Sequence, residues 1–229
     1  MNYFNRVAEL TPTKFWVNNV SREEANIGIE AGASGCTQNP SYVWKMLTHP
    51  SEKAHALEVL RETLAETDDD NEVICILQRK LIKGVSDIFM PVWEKSHGKH
   101  GYVSIQGDPI HEEDFQVILD EARKNREMNP NIMIKIPATG PGLKALEILL
   151  AEDTPINATE VMGVDQVIQL GEIYNRVFLE TGKRPVMYFS LITGIFNEWL
   201  RKDVLKQGIE INADVLHQAR KGKRLGLNL

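Results

Sequence analysis

Asn131-Ile132-Met133-Ile134-Lys135-Ile136-Pro137 is an almost unbroken apolar run with one lysine in it. A short run of this kind, closed by a proline, reads as a strand buried on both faces, the form taken in parallel sheets covered by helices. Alternation sends Ile134 and Ile136 to one face and Met133 and Lys135 to the other. Pro137 ends the strand, so Lys135 stands near its carboxyl end, where α/β barrels place their chemistry. An amine held there is partly desolvated. Burial disfavours the ammonium, lowers its pKa and leaves a neutral nucleophile able to form a Schiff base with a ketone or aldehyde. A lysine whose stem packs in the strand while its ammonium reaches solvent gives the same local pattern, so the surroundings must discriminate.

Outward from this strand, short apolar runs alternate with longer stretches of helical period, the signature of parallel strands joined by crossover helices. Strands are predicted at residues 14–17, 33–36, 102–106, 131–136, around 156 and at 186–190. Helices are predicted from Ser21-Arg22-Glu23-Glu24, which has the capping-box form, and through 51–95 with a break at Asp68-Asp69-Asp70. Others follow at 112–127, 143–150 and 165–181, and Pro40 is expected to open one more. Six β/α units can be counted in a single α/β domain over residues 1–229. Polar segments fall at three predicted strand ends: Thr37-Gln38-Asn39, Ser104-Ile105-Gln106 and Asn157-Ala158-Thr159. Each alone is an ordinary turn, but their convergence at one end describes a barrel active site.

Composition narrows the function classes. The 26 Lys and Arg against 32 Asp and Glu give a net charge of -6, which disfavours nucleic acid as a partner. The basic run Arg220, Lys221, Lys223, Arg224 reads as a solvated tail. No stretch approaches the roughly 20 apolar residues of a membrane span, and the N-terminus lacks a signal-peptide core, so a cytoplasmic location is expected. Cys36 and Cys75 read as buried, reduced thiols. The histidines form no ligand cluster: His97 and His100 read as loop residues, His111 and His217 as helix surface. Trp16, Trp44, Trp93 and Trp199 are expected in the core, with Trp16 near Asn18.

Several colinear motifs together resemble the transaldolase family of Schiff-base aldolases. Gly32-Ala33-Ser34-Gly35-Cys36-Thr37-Gln38-Asn39-Pro40-Ser41 is similar to its second-strand signature. Trp16-Val17-Asn18-Asn19-Val20-Ser21-Arg22 resembles the first strand, Val103-Ser104-Ile105-Gln106-Gly107-Asp108-Pro109 the third, Met133-Ile134-Lys135-Ile136-Pro137-Ala138-Thr139 the lysine-bearing fourth, and the segment from Asn157-Ala158-Thr159 to Gln166 the fifth. The resemblance implies a TIM-type (β/α)8 barrel, here incomplete at about six units. It also implies transfer of a dihydroxyacetone unit between sugar phosphates without metal or organic cofactor. Lys135 would form the imine, and Asn18, Thr37, Asn39, Gln106, Asn157, Thr159 and Ser190 would meet a sugar or sugar-phosphate substrate.

The chain departs from the family at chosen points. Asn18 stands where the family has an acid/base aspartate, and Gln106 where it usually has glutamate. Both changes remove a carboxylate from proton transfer, a contribution of about two to four powers of ten. Ile195 occupies the place of an arginine for the substrate phosphate. After Ser190 no seventh or eighth strand is evident, and six units would leave open strand edges that favour association with a second copy. Two other readings fit part of the sequence. A homologue that binds a sugar without catalysis accounts for Asn18, Gln106 and Ile195. A nicotinamide-dependent enzyme would use Gly140-Pro141-Gly142-Leu143-Lys144-Ala145 as a dinucleotide turn, with Glu160 on the ribose.

Overall fold

The structure is a computed structural model that describes residues 2–192, 194, 201 and 204–208. The chain forms two compact units, Met1–Ser190 and Leu191–Leu229. The expectations for Ile195, Trp199, His217, the basic tail and any further strands lie outside the described residues.

The elements run α1 (Tyr3–Leu10), β1 (Val17–Asn18), α2 (Arg22–Glu30), β2 (Gly35–Gln38), α3 (Tyr42–Thr48), α4 (Lys53–Thr63), α5 (Asp70–Lys95), β3 (Tyr102–Gln106), α6 (Phe115–Arg126), β4 (Ile132–Pro137), α7 (Gly140–Ala151), β5 (Ile156–Val161), α8 (Val164–Thr181) and β6 (Met187–Leu191). Helix starts follow from local chemistry. Ser21 and Glu24 form the expected reciprocal capping box at α2. Asp69, Asp114 and Thr139 each accept a first-turn N–H with their side chains at α5, α6 and α7, satisfying donors that would otherwise be orphaned.

Six strands form one parallel sheet in the order β1-β2-β3-β4-β5-β6. Side chains in register share a face, and the pairings draw two surfaces through it. One row runs Asn18, Thr37, Ser104, Met133, and the next Gln106, Lys135, Asn157. The opposite face carries Cys36, Ile105, Ile134 and Ala158, fully or almost fully buried. These join one apolar core with helix residues such as Leu146, Leu149 and Leu170. Covering one face with helices leaves the polar face inside the curl of the sheet.

That curl can be measured. Flat strands about 4.8 Å apart would separate β1 from β6 by roughly 24 Å, yet the rings of Trp16, just before β1, and Tyr188 on β6 meet edge-on with centroids 5.4 Å apart. Unit Met1–Ser190 is therefore an incomplete barrel of the TIM type, as the resemblance implied. Gly35 makes room for the Trp16 ring: a Cβ on it would lie 2.7 Å from Trp16 Cε2 and 2.8 Å from the Tyr102 carbonyl. Gly35→Ala is expected to lower unfolding free energy by about 1–3 kcal/mol through overpacking, read as an earlier urea midpoint.

Several local expectations are corrected. Strand β1 begins at Val17, not residue 14, because the preceding residues finish a helix the sequence reading missed: Thr11 N–H donates to the Val7 carbonyl, and Lys14 Nζ donates to the Ala8 carbonyl at 2.6 Å. Strand β2 lies at 35–38 rather than 33–36, since Ala33 N–H instead bonds back to the Gly28 carbonyl of α2. Pro40 sits in a turn, and α3 starts at Tyr42. Trp44 is not core but 71% exposed. His111 lies in the loop after β3, paired with Asp108, rather than on a helix. Cys36 and Cys75 are buried free thiols, as expected.

Candidate active site

Lys135 lies on β4 between the Gln106 and Asn157 positions of the neighbouring strands and is 9% exposed. Its Nζ donates to Asn39 Oδ1 at 2.5 Å, a neutral acceptor. Burial holds its pKa below the ordinary lysine value, and the more distant carboxylates of Glu160 and Glu112 oppose that shift only in part. Desolvation thus dominates and shifts the balance of Lys135 toward the neutral amine.

Asn39 is fixed from the other side. Its Nδ2 donates to Asn18 Oδ1 at 2.8 Å and to Asn19 Oδ1 at 3.3 Å, and its backbone N–H donates to Asn19 Oδ1 at 2.8 Å. Asn19 adopts φ +48°, a left-handed conformation that asparagine tolerates, and this turns its amide back to Asn39. With both Nδ2 hydrogens directed at Asn18 and Asn19, the Asn39 carbonyl oxygen has to face Lys135. A chain of amides therefore runs from Lys135 through Asn39 to Asn18.

A second polar chain crosses the inner face. Ser190 Oγ donates to Asn157 Oδ1 at 2.7 Å, and Asn157 Nδ2 donates to Ser104 Oγ at 3.0 Å. The hydroxyls of Thr37 and Thr159 are buried without a hydrogen-bond partner. Buried polar atoms are normally satisfied, and these two unpaired hydroxyls lie on the Lys135 face of the sheet. Gln106 is buried and turns its Nε2 to Glu112 Oε1.

The structure thus brings Lys135, Asn39 and Asn18 together directly, Asn157 and Ser190 together through a hydrogen bond, and Thr37, Gln106 and Thr159 onto the same face. Sequence reasoning missed Glu112, placed in a helix that in fact starts at Phe115. It also missed Ser104 as a hydrogen-bond partner and Asn19 as the residue that orients Asn39. The Gly140-Pro141-Gly142 turn has a packing explanation. A Cβ at Gly142 would stand 2.0 Å from the Pro137 carbonyl, and Thr139 Oγ1 already caps the Gly142 N–H. Among the described residues, no group of three or more His, Cys, Asp and Glu is placed to hold a metal ion, and no helix is long and apolar enough to cross a membrane.

The sequence profile of the family described as Transaldolase/Fructose-6-phosphate aldolase matches residues 15–221. The chain belongs to the transaldolase family. Among curated proteins it is 30% identical to the transaldolase of Thiobacillus denitrificans over 184 residues, covering 77% of this chain and 50% of that protein. It is 30% identical to the Acidothermus cellulolyticus transaldolase over 174 residues, 72% of this chain and 46% of that protein. The Mycobacterium tuberculosis transaldolase is 29% identical over 168 residues, 69% of this chain and 44% of its own length. The matched regions span about half the length of these transaldolases.

Proposed function

We propose that the chain performs transaldolase-type chemistry, moving a dihydroxyacetone unit between sugar phosphates through a Schiff base on Lys135. The observation that carries this reading is the buried Lys135 amine, hydrogen-bonded to a neutral amide on a polar sheet face. In the proposed sequence, neutral Nζ attacks the C2 carbonyl of a ketose phosphate and water leaves to give an iminium. The C3–C4 bond then breaks, its electron pair passing to the iminium nitrogen, and an aldehyde departs. The enamine left on Lys135 adds to a second aldehyde, and water releases the new ketose. The iminium is the electron sink, so the sequence draws on no metal or organic cofactor.

Asn39, Asn157, Thr37 and Thr159 supply donors and acceptors for substrate hydroxyls, with Asn18, Gln106 and Ser190 at the margin. Because only the neutral amine attacks, imine formation should rise with pH until Lys135 is deprotonated. A cytoplasmic setting and association of copies belong to the same reading. The test is transfer itself: fructose 6-phosphate and an aldose phosphate acceptor, incubated with the full chain, should yield a second ketose phosphate. Binding without any product would favour the other reading that Asn18 and Gln106 support, a non-catalytic sugar-binding homologue.

A further inference from the structure

The chemistry just proposed needs a group that takes the proton of the C4 hydroxyl as the C3–C4 bond breaks and returns it when the new bond forms. Neither Asn18 nor Gln106 can do this, because a side-chain amide has no titratable proton in the working pH range. A carboxylate nevertheless reaches the same end of the sheet. Glu112 Oε1 accepts a hydrogen bond from Gln106 Nε2, and Gln106 stands in register beside Lys135. The Gln106–Glu112 pair thus stands one strand from Lys135, at the carboxyl end of β3.

The loop that bears Glu112 is tied down. Asp108 accepts from the Ile110 N–H at 2.8 Å, from Asn71 Nδ2 at 2.6 Å, and pairs with His111 Nδ1 at 2.6 Å. These bonds hold the Asp108 carboxyl below its usual range against its own burial, and the bond to Asp108 raises the pKa of His111. Glu112 follows directly on this anchored turn.

We propose, on the reading of the site given above, that Glu112 is the acid/base catalyst of this chain, held there by Gln106. The amide at 106 is then an adaptation rather than a loss. A glutamate at that position would set two carboxylates in contact, whereas glutamine donates to Glu112 and relocates the carboxylate by one side chain. In the cleavage direction the Glu112 carboxylate takes the C4 hydroxyl proton. The O–H pair becomes the C4 carbonyl, and the C3–C4 pair flows through C3 and C2 to nitrogen, leaving an aldehyde and a neutral enamine. In the synthetic direction the carboxylic acid returns that proton to the C4 oxygen, and no oxidant or reductant enters.

The groups facing Glu112 suit the role. Burial raises its pKa above the usual carboxylate range, with Glu160 from β5 and Asp108 from its own loop adding to the rise, while the Gln106 bond and Lys135 act against it. A carboxyl shifted toward the working pH is a better proton shuttle.

The test uses the full chain with fructose 6-phosphate. Glu112→Gln should still give a borohydride-reduced adduct on Lys135, while turnover falls about 100-fold or more. Its kcat/KM profile should lose the limb at lower pH and keep that of Lys135. Glu112→Asp should recover part of the rate. Turnover of Glu112→Gln within about threefold of the parent chain, with the adduct intact, would overturn the assignment alone. Loss of the adduct together with turnover would reveal a merely structural role and also overturn it. No adduct on the parent chain would remove the imine reading and this assignment with it.

Discussion

Lys135→Met is expected to abolish turnover while making the protein harder to unfold. The catalytic half follows from the loss of the atom proposed to form the covalent bond, and the rate should fall by at least about a thousandfold. The stability half follows from burial. The folded state holds the Lys135 proton less tightly than the unfolded chain does, because desolvation puts its pKa below the ordinary 10.5. Below the folded pKa the cost of a buried ammonium is fully present, and it shrinks as pH rises from the folded value toward the unfolded one. Methionine has similar length and no charge, so at pH 7 it should gain about 1–2 kcal/mol, and the gain should narrow toward pH 10. Urea unfolding of both chains at the two pH values checks the sign. A Met variant less stable than the parent at pH 7 would mean that the amine is satisfied rather than desolvated.

Asn39→Asp should move the working pH upward. The acceptor of Lys135 would become a carboxylate 2.5 Å from the amine, if the rotamer is kept. An opposite charge at such range raises a lysine pKa by about 1–3 units. The neutral fraction at pH 7 then falls further, and initial imine trapping should drop about 10-fold to 100-fold there, recovering as pH rises. The substitution also leaves a carboxylate facing the carbonyl oxygens of Asn18 and Asn19, which previously accepted from Asn39 Nδ2, so a lower melting temperature should accompany the shift. An unchanged pH dependence of trapping would show that Asn39 does not control the Lys135 charge.

Much of this arrangement is legible in the sequence because it depends on periods. Strand alternation around Lys135 is strict, and Met133 and Lys135 do share a face opposite Ile134 and Ile136. The strand at Tyr102–Gln106 and the break before Asp70 follow from apolar runs and acidic caps. What was illegible depends on where backbone hydrogen bonds go. Lys14 reads as the start of a strand, but its Nζ donates to the Ala8 carbonyl near the end of α1. Glu112 looks like a helix start, but Asp114 caps the helix instead and leaves Glu112 in a loop that folds back on Gln106. Asn19 carries no motif that announces a left-handed turn, yet that turn orients Asn39. Alternation shows which face a side chain takes; it is silent on which of two amides will donate and which will accept.

Glu160 shows the same limit. Only the rival dinucleotide reading gave it a role, on a ribose, and its position on β5 with φ +58° puts its charge near Lys135 and Glu112. The backbone there is supported by Gln166 Nε2, which donates to the Glu160 carbonyl at 3.2 Å and to the Ala138 carbonyl at 3.0 Å. Non-glycine residues held at positive φ carry strain that neighbouring bonds must offset, and a single side chain from α8 does so here while joining the ends of β4 and β5.

The most direct measurement is the mass of the peptide that contains Lys135 after the chain has been incubated with fructose 6-phosphate and reduced with borohydride. The account predicts a reduced dihydroxyacetone adduct on that peptide, absent from Lys135→Met. An unmodified Lys135 peptide beside product formation, or an adduct carried by another lysine, would contradict it.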